Sequence, residues 1–196
     1  MTNSMKNQSC KAAGAILIAS AFFCLLSVPA QAQSGTPANS GAVPQANGTA
    51  PQAADIPKLE FVFEEIVTLS PPVKVGQTPF GGRQFIPITG GSFAGPKLKG
   101  KILSGGWDWQ LALPNGCSSI KADYMIQTDD GTVINVLNKG TLCAPTSANR
   151  ALAITSPSFE APNGRYDWLN SGAYVGTLEL VSGVSNTIRI RFYQVR

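Results

Sequence analysis

From Ile56 to Arg196 no stretch of this sequence sustains a helical period. Short apolar or alternating runs are instead separated by Gly, Pro, Asn-Gly and Asp-Gly signals. A side-chain period of two, broken at regular intervals by turn residues, is the pattern of an antiparallel sandwich or barrel. Strands are predicted near 58–68, 83–88, 96–103, 107–114, 117–128, 132–142, 150–156, 173–182 and 187–195. Gly90-Gly91, Gly95, Gly100 and Gly105-Gly106 fall where such strands must bend to close on one another. A stretch of about 140 residues suffices for one core. The expectation is an all-β domain over 56–196, a single antiparallel β-barrel.

Residues 1–55 have a different texture. Lys6 and Lys11 give a positive start, Ala12 to Val28 is uncharged, and Ala30-Gln31-Ala32 is a small-x-small cleavage pattern. This reads as a secretory signal over 1–32, shorter than the ~20 residues of a comfortable membrane span. The bulky Ala21-Phe22-Phe23 before Cys24 argues against a lipidation site there. Residues 33–55 carry no aromatic residue, and Gly, Pro, Ala, Ser and Gln dominate. Such a segment buries too little apolar surface to offset ordering, so a disordered linker is expected. The mature chain is expected to be periplasmic or secreted.

Removal of the signal changes what charge and cysteine content imply. Lys6 and Lys11 leave with it, reducing 15 basic residues to 13 against 11 acidic ones. That balance is too mild to call for nucleic acid or an anionic membrane as partner, and no stable membrane insertion is expected. The natural partner is a small molecule; the number of copies in the assembly stays open. Cys10 and Cys24 leave too, so Cys117 and Cys143 remain, an even pair suited to a disulfide in an oxidising compartment. Histidine is absent throughout. This excludes Ser-His-Asp and Cys-His nucleophile systems and the usual zinc sites, leaving only a carboxylate site for a hard cation. No cofactor or metal is assigned.

Two hairpins can be given a register from turn chemistry. Asn115-Gly116 and Asp130-Gly131 are preferred pairs for two-residue type I′ turns, which need positive φ at both positions. Pro114 would then face Cys117, Asp108 would face Asp123, and Asp123 would face Asn138. Ile120, Ala122, Tyr124 and Ile126 would share an interior wall with Trp109, Leu111, Leu113 and Leu137. Cys143 would lie one residue from the position opposite Cys117, close enough for a small bulge to join them.

On this register Asp108, Asp123 and Asn138 form a row across three strands. Adjacent carboxylates that are desolvated cannot both ionise cheaply, so such a pair can exchange a proton near neutrality, with Asn138 orienting one of them. By alternation, however, the row takes the solvent face, with Lys121 as counter-charge. Asp129-Asp130-Gly131 lacks the further carboxylates of a calcium loop and reads as a turn. Gly164 to Asn170, with Tyr166, Trp168 and Leu169, either closes a barrel mouth over a ligand or plugs the end of the core. Arg189, Arg191 and Arg196 on the last strand read as a wet outer face. Arg83 begins a strand, where it can meet an anionic group or solvent.

Several segments resemble one known family. Pro71-Pro72 with Val75-Gly76 and Gly82-Arg83 are followed by Thr89-Gly90-Gly91-Ser92-Phe93-Ala94-Gly95-Pro96 and Gly105-Gly106-Trp107-Asp108-Trp109. Thr128-Asp129-Asp130-Gly131 and Asn138-Lys139-Gly140 complete the set. In this order, from about Leu59 onward, they resemble the domain-of-unknown-function 3237 family, also called uncharacterised protein family 0311. The resemblance implies a small lipocalin-like antiparallel β-barrel and no settled activity. The family often carries Arg before the tyrosine, whereas here Asp123 precedes Tyr124, so no role is carried over for that position. Members are often cytoplasmic, which makes the signal and linker additions to the pattern.

Three functional readings follow. A binding module would hold a small apolar or aromatic molecule against Trp109, Tyr124 and Trp168, with Arg83, Asn138 or Asn170 fixing polar groups. A cofactor-free isomerase, cyclase or lyase would use Asp108 or Asp123 as general base. A structural barrel would have a filled core. A carboxylate pointing inward favours the enzyme and requires a different register.

Overall fold

The computed structural model describes residues 46–144 and 153–196. The signal and the linker up to residue 45 lie outside the described residues. Ten strands make up the compact unit Thr49–Arg196. They are β1 (Leu59–Leu69), β2 (Val73–Thr78), β3 (Gly81–Ala94), β4 (Lys99–Ile102), β5 (Gly106–Ala112), β6 (Ser118–Thr128), β7 (Val133–Leu142), β8 (Ala153–Glu160), β9 (Tyr174–Leu180) and β10 (Thr187–Val195).

All pairings are antiparallel. The sheet runs β1-β10-β9-β8-β7-β6, then through β4 and β5 to β3, and closes where β3 pairs with β1. β4 and β5 divide one place in the wall between them. After Ser70-Pro71-Pro72, β2 continues past the end of β1 along the same edge of β3. The result is the expected all-β barrel, closed with eight strand positions. β2 is the strand sequence reading missed. Its residues are almost all exposed, and its alternation stops after Val73-Lys74-Val75 at Gly76. β3 is longer than predicted because it runs through Gly90-Gly91, where the register shifts and the strand bends.

The two ends of the barrel differ. At one end Phe63, Phe93, Phe159 and Phe192 pack edge-on or tilted, with Phe63 and Phe192 centroids 4.9 Å apart and Tyr174 4.9 Å from Phe159. A 3-10 turn, Asp167–Leu169, covers this end with Leu169 buried and Trp168 against the core. The Asn170 side chain braces the turn: its Oδ1 accepts from Ala161 N at 2.7 Å and its Nδ2 donates to Ala161 O at 2.9 Å. Tyr166 donates its hydroxyl to Asp130 Oδ2 at 2.9 Å. Of the two readings of Gly164–Asn170, the core plug is the one formed. On the outer face Arg189 and Arg191 pair with Glu64 and Glu179, a wet charged ladder as expected.

Both hairpin registers differ from expectation by one residue. Asp108 faces Ala122, not Asp123, and Ala122 in turn faces Asn138. The turn chemistry explains the shift. Gly116 and Gly131 have φ of 80° and 89°, but Asn115 and Asp130 do not take positive φ. Leu113 N donates to Cys117 O and Gly116 N to Leu113 O; Thr128 N donates to Thr132 O and Gly131 N to Thr128 O. These are three-residue loops, a tight turn followed by a left-handed glycine. Asn115 Oδ1 and Asp130 Oδ1 each accept the backbone N–H two residues on, which favours this form over type I′.

A one-residue slip turns every side chain of a strand to the other face. Ile120, Tyr124 and Ile126 are buried, as expected for the inner wall. Trp109, Leu111 and Leu137 instead point outward, and Leu113 precedes the turn outside β5. The corrected register also puts Cys117 directly opposite Cys143, one step beyond the Ser118–Leu142 pair. The disulfide between them forms with a Cα separation of 4.5 Å and needs no bulge.

Candidate functional site

The inner surface of the half of the barrel away from the plug is polar. Following the pairings, one inward row reads Lys74, Gln84, Gln110, Ile120, and the next reads Ile86, Asp108, Ala122, Asn138. Tyr124 lies one step deeper on β6, opposite Val136, and the row through Ile190 places Glu65 of β1 on the same inner surface. The main chain at Tyr124 runs close to β5: a Cβ on Gly106 would sit 2.4 Å from the Tyr124 Cβ, so only glycine fits there.

Two hydrogen-bonded chains occupy this space. Gln84 Nε2 donates to Gln110 Oε1 at 2.8 Å, and Gln110 Nε2 donates to Asp108 Oδ2 at 2.6 Å. Asp108 Oδ1 accepts from Lys121 N at 3.1 Å. Separately, the Tyr124 hydroxyl donates to Glu65 Oε2 at 2.6 Å, from strands that are far apart in the chain. Glu65 Oε1, Asn138 Oδ1 and Thr155 Oγ1 are buried with no hydrogen-bond partner among the described residues.

The electrostatics follow from this burial. Glu65 is 0% exposed, and desolvation pushes its carboxyl up to about 8, against the opposing Tyr124 hydrogen bond. At neutral pH it therefore keeps its proton. Asp108 is raised too, again by burial, with the donors from Gln110 and Lys121 holding it back. Tyr124 is raised well above its ordinary value by burial, then by Glu65 and by the nearby charge of Asp108. A neutral acid, a phenol hydroxyl and a second carboxyl group raised by burial thus share the inside of the barrel.

The space opens at the unplugged end. Asp108, Ile86, Ala122 and Gln84 keep part of their surface accessible, while Gln110, Tyr124 and Asn138 beside them are buried. At the mouth a cleft of about 330 Å³ is lined by Lys74, Gln77, Arg83, Gln84, Gln110 and Ser118, among others. Ser118 adjoins the Cys117–Cys143 bridge, which ties β6 to β7 at this rim.

Of the residues singled out from sequence, Asp108, Tyr124 and Asn138 come together inside the barrel. Asp123 does not; it is on the outer face opposite Trp107 and Leu137, accepting from Asn135 Nδ2 at 2.9 Å. Its pairing with Asp108 was a product of the wrong register. Trp109 is also outside, under the Arg83 guanidinium at 5.1 Å and beside Phe85. Trp168 and Asn170 belong to the plug at the opposite end. Glu65, Gln84 and Gln110 were missed. Glu65 had a signal: in Phe63-Glu64-Glu65-Ile66-Val67 it shares parity with the apolar Phe63 and Val67. An acid in phase with core residues is a buried acid. Among the described residues no cluster of three or more carboxylates or thiols is placed to hold a metal ion.

Comparison with known proteins fits this architecture. Residues 57–195 match the family model described as protein of unknown function DUF3237. A UPF0311 protein of Clostridium acetobutylicum is 30% identical over 149 residues, covering 69% of this chain and 92% of that protein. The hydroalkoxylation enzyme phnH of Penicillium herquei is 29% identical over 123 residues, 62% of this chain and 74% of its own length. A solved β-barrel-like protein of Acinetobacter baumannii aligns with a TM-score of 0.63 at 28% identity, covering 76% of this chain and 99% of the other. This chain belongs to the DUF3237 family.

Proposed function

We propose that this DUF3237 barrel is a cofactor-free acid–base enzyme acting on a small molecule that enters at the unplugged mouth. The observation that carries this reading is the inward Asp108 beside the buried Tyr124–Glu65 pair. Asp108, with accessible surface, serves as base; neutral Glu65, acting with Tyr124, serves as acid. The apolar Ile86, Ile120 and Ala122 supply contact for an apolar or aromatic skeleton.

The relative named as a hydroalkoxylation enzyme suggests the reaction type. Hydroalkoxylation adds an O–H across a C=C bond. In such a reaction here, Asp108 would take the hydroxyl proton as the C–O bond forms, and the Glu65–Tyr124 pair would deliver a proton to the other alkene carbon. One proton enters the protein and one leaves it, so no oxidant or reductant is required. The test is incubation with 2-prenylphenol in D2O, reading cyclised product and deuterium at carbon by mass spectrometry. Deuterated cyclic ether is expected from the native protein, with a loss of at least 100-fold for Asp108→Asn. Turnover unchanged in Asp108→Asn would refute the assignment, and no turnover by the native protein would leave a binding barrel as the better reading.

We infer also that residues 1–32 are removed on export and that the linker tethers an extracytoplasmic barrel. The disulfide joins the two cysteines that signal removal leaves, and no helix among the described residues is long and apolar enough to cross a membrane. N-terminal sequencing of the exported protein should begin at Gln33; retention of residues 1–32 contradicts it.

A further inference from the structure

Asn138 stands out among the inward polar groups. It is 2% exposed, its Oδ1 has no partner among the described residues, and it shares an inward row with Asp108, separated only by Ala122. A buried acceptor without a partner has lost its water and opposes folding. The cost is recovered when a ligand brings a donor to it. The small methyl of Ala122 leaves the space between Asp108 and Asn138 free of a bulky side chain. Neighbouring strands are about 4.8 Å apart, so these two acceptors, on either side of β6, lie about 10 Å from each other.

The unpartnered polar atom of this row is an acceptor. Asp108 presents carboxylate oxygens and Asn138 an amide oxygen. One N–H of the Gln110 amide is already given to Asp108. A ligand carboxylate placed here would meet acceptors and the charge of Asp108.

We propose that the site selects a neutral ligand carrying two hydrogen-bond donors, one hydroxyl given to Asp108 and a second to Asn138 Oδ1, and that Asn138 is the residue setting this preference. The inference rests on the reading of the mouth half as the ligand site, but it does not need catalysis. Asn138 is a specificity residue: its hydroxyl partner is the one that does not react. A site with a buried acceptor rejects an analogue lacking the donor, because the acceptor is left unpaired in the complex.

The test is equilibrium binding of 1,3-dihydroxynaphthalene and 1,3-dimethoxynaphthalene to the exported protein, followed by NMR of the Ala122 methyl. The native protein should bind the diol at least tenfold more tightly than the diether, with the Ala122 resonance shifting on titration. Asn138→Leu should bring the two affinities to within about threefold, chiefly by weakening the diol. Asn138→Ala, with thermal melting to confirm folding, should do the same and guards against misfolding of the larger replacement. Equal binding of diol and diether by the native protein overturns the proposal. So does an undiminished preference in both variants, or failure of the diol to bind. Because the readout is affinity, loss of turnover in Asp108→Asn bears on the acid–base reading, whereas Asn138 discrimination bears on this one.

Discussion

The two halves of the barrel interior are built from the same strands to opposite ends. Toward the plug, β1, β3, β8 and β10 contribute Phe63, Phe93, Phe159 and Phe192, whose rings pack against one another. Toward the mouth, the inward positions hold Gln84, Asp108, Gln110, Tyr124 and Asn138, with Glu65 at the border, opposite Phe93. β1 shows the change within a few residues, from Phe63 to Glu65. Burying aromatic surface stabilises the fold, and burying unpaired polar atoms opposes it. The plugged half therefore supplies the stability that lets the mouth half keep groups a packed core would exclude.

The comparison can be broken at several points. The largest effect is expected from Phe192→Ala. Its ring is 0% exposed and packs against both Phe63 and Phe159. Chemical denaturation should show a loss of about 3–5 kcal/mol, with selectivity at the mouth retained; a loss under 1 kcal/mol would mean the aromatic half does not anchor the barrel.

Glu65→Gln should act in the opposite direction. The folded chain holds this proton up to about pH 8, whereas an unfolded glutamate releases it near 4.5. Between those values the folded state binds more protons, so stability falls as pH rises, by up to about 1.4 kcal/mol per pH unit. Below the unfolded value and above the folded one this group adds no slope. Glu65→Gln keeps an acceptor for Tyr124 and removes the titration, so it should flatten stability between pH 5 and 8 and raise it by a few kcal/mol at pH 8. Thermal melts across that range decide it; parallel curves for the two proteins would show that Glu65 is not held neutral.

The smallest effect sharpens the contrast between inside and outside. Asp123→Asn alters an outer-face side chain and should change stability by less than about 0.5 kcal/mol, while leaving turnover and diol preference intact. A large loss of turnover would return Asp123 to the site.

Much of the fold was legible because strand positions depend on local alternation and turn residues. Tyr124 and Ile126 were identified as inward from β6 and its hairpins, and Cys117 and Cys143 as partners chiefly because signal removal leaves that one pair, which the hairpin register brings near each other. What failed was one residue of loop length. Asn-Gly and Asp-Gly fit either a two-residue type I′ turn or a three-residue turn ending in a left-handed glycine, and the local sequence does not separate them strongly. The difference decides whether Asp108 lies against Tyr124 or against solvent.

By itself, then, the sequence determined an all-β barrel, its disulfide pair and the exclusion of histidine chemistry, because composition and short-range periodicity carry those. Only the tertiary structure decided that Asp108 is the inward acid and Asp123 the outward one. It alone decided that Glu65 of β1 reaches Tyr124 of β6, 59 residues away in the chain. Barrel closure creates that contact by bringing opposite walls of the sheet within one hydrogen bond, and the low dielectric between them sets which groups keep their protons.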